Sequence, residues 1–146
     1  MKQTINWMAC ILLFNILAYS CTTSSDDDQL LTSNDITQTI TQTDGWKVSW
    51  YWDKDKDETS DFSGYIFYFK NTGVFEALKN GSTISGTWQI KDDSHGTKRL
   101  VINPGNEEKP LSELEDDWVI LEMMDNKIEL KDDNDEHLEE LYFEKI

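Results

Sequence analysis

The chain has 146 residues and a formal charge of −16, with 29 acidic side chains set against 13 basic ones. Such an excess repels phosphate backbones, which excludes nucleic acid as a partner, and it is repelled by anionic lipid headgroups as well. Aromatic residues make up 12% of the chain and fall mostly in alternating runs, so the charge does not signal disorder.

Residues 1–20 hold no acid and one base, Lys2. The apolar run over 5–17, broken by Asn6 and Asn15, is shorter than the roughly 20 residues a membrane-spanning helix needs. A basic start, a short apolar stretch and the small residues Ala18 and Ser20 describe a secretory signal peptide over 1–20. Cys10 leaves with it, so the mature chain keeps only Cys21 and no disulfide framework is possible. Residues 21–146 then carry 12 bases against 29 acids.

Leu17-Ala18-Tyr19-Ser20-Cys21 resembles the lipobox of bacterial lipoproteins, with Tyr19 larger than the usual residue. The resemblance implies that Cys21 becomes a lipidated N-terminus, with palmitate-type acyl chains anchoring the protein to a membrane. Each buried methylene contributes about 0.8 kcal/mol. The expected location is outside the cytoplasm, as an outer-membrane lipoprotein. An acidic run, Ser24-Ser25-Asp26-Asp27-Asp28, follows Cys21 and resembles the export tag of surface-displayed lipoproteins in some Gram-negative bacteria. Its plain alternative is a solvated linker.

Residues 21–33 read as lipidated N-terminus and polar tether. Residues 34–44 read as a short helix or linker, with Ile36 and Ile40 four apart and Asn34-Asp35 as the cap. From Gly45 the period changes to two. Trp46, Val48, Trp50 and Trp52 alternate with Lys47, Ser49, Tyr51 and Asp53, which predicts a strand with one apolar face. Further strands follow at Tyr65-Phe67-Phe69 and over 74–78, 83–91, 98–103, 118–124, 127–131 and 137–146. Turn signals separate them, among them Asn71-Thr72-Gly73, Asp125-Asn126 and Asn80-Gly81, the last a strong hairpin signature. Residues 45–146 therefore read as an all-β domain: about eight antiparallel strands in an up-and-down barrel or related sandwich. Pro110-Leu111-Ser112-Glu113-Leu114-Glu115 breaks the pattern and predicts a one- to two-turn helix plugging one end.

Several stretches together resemble the small lipocalin-like lipoproteins of Gram-negative bacteria. They run from Asp57-Glu58-Thr59-Ser60-Asp61-Phe62-Ser63-Gly64-Tyr65-Ile66-Phe67 through Ser85-Gly86-Thr87-Trp88 to Leu111-Ser112-Glu113-Leu114 and Asp117-Trp118. Ile128-Glu129-Leu130 and Phe143-Glu144-Lys145 fit too. The resemblance covers roughly residues 45–146 and implies a lipocalin-like barrel, with no substrate attached. True lipocalins carry Gly-x-Trp on the first strand. Here that strand reads Asp44-Gly45-Trp46, one residue short, and Gly86-Thr87-Trp88 lies on a later one.

In an up-and-down barrel every second connection lies at the same end. The connections 53–63, 80–81, 103–117 and 132–136 should share one end, which is then a mouth carrying Asp53, Asp55, Asp57, Glu58, Asp61, Glu107, Glu108, Glu113, Glu115, Asp116, Asp117, Asp132, Asp133, Asp135 and Glu136. Trp46, Trp50, Trp52, Tyr65, Phe67, Phe69, Trp88, Trp118 and Phe143 are the aromatic residues expected to face the interior. An eight-stranded barrel is just wide enough to be filled by side chains or to hold one small ligand. The volume of these rings favours a packed core; an aromatic-lined cleft for a lipid, sugar or pigment is the alternative.

Catalytic and metal patterns fail. Asp53-Lys54-Asp55-Lys56-Asp57-Glu58 opens like a calcium loop, but Glu58 and Gly64 stand where that loop needs glycine and glutamate. His95 and His137 lie in acidic turns without further ligands at zinc spacing. No nucleophile elbow or phosphate loop is present. The expectation is a monomeric binding protein, neither enzyme nor cofactor carrier, for a small apolar or amphipathic ligand. The alternative is an inhibitor-like protein whose acidic end captures a basic protein.

Overall fold

A computed structural model describes residues 31–42, 44–134 and 138–146. The signal peptide, Cys21, most of the tether, and Asp135, Glu136 and His137 lie outside the described residues. No described helix is long and apolar enough to cross a membrane.

The strands are β1 (Trp46–Asp53), β2 (Lys56–Asp57), β3 (Ile66–Phe69), β4 (Val74–Lys79), β5 (Ser82–Asp92), β6 (Lys98–Asn103), β7 (Asp116–Met124), β8 (Lys127–Lys131) and β9 (Glu139–Lys145). From β3 to β9 each pairs antiparallel with the next, and β9 pairs with β1, which closes an eight-stranded up-and-down barrel. The all-β, lipocalin-like reading of the fold holds. The two-residue β2 is an extra, folding back on the end of β1 through Trp52↔Asp57 and Asp53↔Lys56.

Closure is uneven. β1 meets β3 only at Trp46↔Phe67. Beyond that point a 3-10 turn, Thr59–Phe62, takes the place of a ladder. Tyr51 donates its N–H to Thr59 Oγ1 at 2.8 Å, and Glu58 N–H donates to the Tyr51 carbonyl at 3.0 Å. Phe62 fills the gap, edge-on to Tyr51 and to Phe67.

The interior is occupied by packed rings. Phe67 stacks on Phe75 and meets Phe143 edge-on, while Phe69 meets both Trp88 and Phe143 at right angles. Leu100, Leu130 and Leu141 are fully buried among them. A buried indole must place its N–H, and all three interior tryptophans do so on connecting elements. Trp46 donates to Ile40 O, Trp88 to Lys70 O and Trp118 to Leu114 O, at 3.0, 2.8 and 3.1 Å.

Helix α1 (Ser33–Thr41) docks at the end where β1 starts, against β3, β5 and β7, with Ile36 and Ile40 fully buried. Its cap is Thr32, two residues before the expected Asn34. Thr32 Oγ1 accepts from Asp35 N–H while the Asp35 carboxylate accepts from Thr32 N–H, a reciprocal box. The opposite end is covered by a second 3-10 turn, Leu111–Leu114, whose leucines are both buried. This is the expected plug, as a single 3-10 turn with no side-chain cap. The chain reaches it by crossing β5 at Gly86, where an added Cβ would lie 2.0 Å from Asn103 O. Only glycine permits that approach.

Candidate functional site

The long connections do share one end. Asp53, Glu58 and Glu113, from three separate segments, bring carboxylate oxygens within 4.8 Å of one another, and Tyr51 Oη donates to Glu113 Oε2 at 3.5 Å. Lysines compensate this cluster: Lys56 pairs with Glu58, Lys109 with Glu113 at 3.1 Å, and Lys54 lies 3.8 Å from Asp53. The Lys56 hydrogen bond lowers the Glu58 carboxyl below its ordinary range. Asp53 Oδ1 is buried without a hydrogen bond among the described residues.

Deeper in the mouth, one row of the sheet places like charges side by side. Asp53 pairs in register with Glu139, and Asp132 N–H donates to the Glu139 carbonyl. Burial, then Asp53, Asp132 and Asp116, push the Glu139 carboxyl up to about 7. Burial likewise raises Asp116, and raises the Tyr51 hydroxyl, with Glu139 and Glu113 adding to it. The remaining acidic candidates are peripheral. Asp55, Asp57 and Asp61 are exposed, Asp57 being lowered by its hydrogen bonds to Thr59. Asp117 joins Asp93 and Asp133 around Arg99, the chain's one arginine.

The aromatic candidates divide. Trp46, Phe67, Phe69, Trp88 and Trp118 are interior, and Tyr65 is half-buried against the core under Lys79. Trp50 and Trp52 correct the sequence reading: they lie on the outer wall. The cause is a β-bulge. Val48 pairs with Phe143, but Trp50 pairs with Tyr142, so Ser49 is an extra residue. An extra residue reverses the alternation beyond it. Tyr51 and Asp53 therefore turn inward, opposite Leu141 and Glu139, and the two indoles turn outward. The expectation of an interior pocket built on these two residues falls with that parity.

On the outside they form a structure of their own. The Trp50 and Trp52 rings lie within 7° of parallel, with centroids 5.8 Å apart. Together with Leu138 and Glu140 they line an open, mainly apolar cleft of about 320 Å³. Trp50 Nε1 donates to Glu140 Oε2 at 3.1 Å, Tyr142 Oη donates to the same oxygen at 3.4 Å, and Trp52 Nε1 donates to the Lys54 carbonyl at 3.0 Å. Sequence reasoning missed Leu138 and Glu140. Their place depends on β9 lying beside β1, about 90 positions away in the chain. No signal in either segment marks them, because alternation over Trp50-Tyr51-Trp52 is equally satisfied with both indoles inward.

Searches against protein-family models and curated proteins give no match.

Proposed function

We propose that this protein is an exported lipoprotein, tethered to the outer membrane through acyl chains on Cys21, and that its lipocalin-like barrel is a binding module for a small amphipathic ligand. The ligand site in this reading is the outer-wall cleft, with the barrel interior acting as its rigid support. The observation that carries it is the pair of half-buried parallel indoles beside Leu138, which is 49% exposed. Apolar rings held in fixed orientation by hydrogen bonds are a preformed surface, so little ordering opposes binding.

The neutral apolar dye N-phenyl-1-naphthylamine tests the site. Its fluorescence should rise on the purified protein, and Trp52→Ala should remove most of the rise while circular dichroism stays unchanged. An undiminished rise in that variant would contradict the reading. The anchor is tested separately, because Cys21→Ser should move the protein from the detergent phase to the aqueous phase of a Triton X-114 partition.

A further inference from the structure

The cleft's hydrogen-bonding inventory is one-sided. Both indole N–H groups are engaged, Trp50 with Glu140 and Trp52 with the Lys54 carbonyl. Leu138 brings no polar side-chain atom. Glu140 is an acceptor only, and both bonds it receives fall on Oε2, leaving Oε1 with none among the described residues. Lys131 stands opposite Glu140 across β8 and β9, yet among the described residues no ion pair within 4 Å joins them. The four lining residues therefore offer a ligand two indole rings, one aliphatic side chain and a carboxylate oxygen, and none of the four holds an uncommitted side-chain donor.

That combination selects by charge. A sugar or alcohol hydroxyl donates and accepts, so half of its hydrogen bonding would go unmet by these side chains. A carboxylate or phosphate would meet a like charge. A protonated amine or guanidinium only donates, and it is drawn both to the carboxylate and to indole faces. The field around the cleft acts in the same direction, since a chain of formal charge −16 steers cations toward itself. The volume of about 320 Å³ suits a small molecule or a single long side chain.

We infer that the Trp50–Trp52 cleft binds an amphipathic organic cation, a protonated amine or guanidinium carrying an aliphatic or aromatic group. This rests on the binding reading above and names its ligand class.

The test compares three probes of one chain length, hexylammonium, hexanol and hexanoate, titrated into the full mature protein and followed by the indole N–H resonances in ¹⁵N-edited NMR. Hexylammonium should shift the Trp50 and Trp52 signals saturably and bind at least tenfold tighter than hexanol, with hexanoate weakest. Glu140→Gln, which keeps an oxygen for Trp50 to bond and adds an N–H donor, should weaken hexylammonium at least fivefold without weakening hexanol. Equal binding of hexylammonium and hexanol would overturn the cation inference while leaving an apolar cleft. Failure of all three probes, with no dye response either, would overturn the binding reading too. A short lysine-rich peptide distinguishes the source: competition with hexylammonium indicates a cation delivered by a basic polypeptide, and binding of hexylammonium without competition indicates a free amine. Either result agrees with the inferred class.

Discussion

Three tryptophans inside the barrel and two outside it do different work, although a period-two reading makes those of β1 equivalent. Trp46, Trp88 and Trp118 are buried, and each ties its indole to the carbonyl of a different connection, so they lock the helix, a hairpin turn and the plug onto the sheet. Trp50 and Trp52 tie theirs to Glu140 and Lys54 and line a cleft on the outer wall. The difference comes from a single inserted residue at the bulge. Identical side chains become scaffold or surface according to register, and composition alone cannot separate the two.

Substitutions in the two groups separate scaffold from surface. Trp118→Ala should destabilise the fold most, by about 3–5 kcal/mol, because it opens a large cavity and frees the plug carbonyl. Trp52→Ala should lose no more than about 1 kcal/mol while removing ligand binding. Urea unfolding of the two variants measures the gap, and comparable losses would refute the division of labour. Next, Gly86→Ala should lower stability by about 1–3 kcal/mol, because the added methyl collides with the crossing backbone at Asn103. Thermal denaturation reports it.

A smaller effect belongs to the acidic end. The native Glu139 carboxyl sits at about 7, above its ordinary 4.5, so the folded protein holds this proton more tightly than the unfolded chain. The resulting stability is fully present below about pH 4.5, declines as the unfolded carboxyl ionises, and is gone above about pH 7. The group is partly exposed, so screening reduces the effect to the order of 1 kcal/mol. Glu139→Gln should therefore raise the melting temperature at pH 8 and change it little at pH 4.5. Glu140→Gln, whose target faces outward one residue further on, should alter stability least, by roughly 0.5 kcal/mol or less.

Much of the architecture was legible because it is local. Alternation marked the strands, Asn80-Gly81 marked a hairpin whose two residues do adopt positive φ, and counting connections placed 53–63 and 103–117 together. The plug was legible because Pro110-Leu111-Ser112-Glu113-Leu114-Glu115 breaks the strand alternation. The bulge was not: Ser49 carries no glycine-like signal, and the alternation of Trp46, Val48, Trp50 and Trp52 runs through it unbroken. Helix α1 was placed correctly but capped wrongly, because Asn34 is the stronger local cap and the Thr32–Asp35 box prevails only through its reciprocal bonds. The cleft was out of reach for a different reason. Two of its walls, Glu140 of β9 and Leu138 just before that strand, come from far along the chain, and strand pairing over that separation leaves no trace in either segment alone.

The central claim is that β1 turns two of its tryptophans out to solvent beyond the bulge. Labelling the mature protein with 5-fluorotryptophan and adding a soluble gadolinium chelate tests it directly by ¹⁹F NMR. Of the five resonances, those of Trp50 and Trp52 should broaden strongly, while Trp46, Trp88 and Trp118 stay sharp. Sharp Trp50 and Trp52 signals, shielded as well as the other three, would return both rings to the interior and contradict the account.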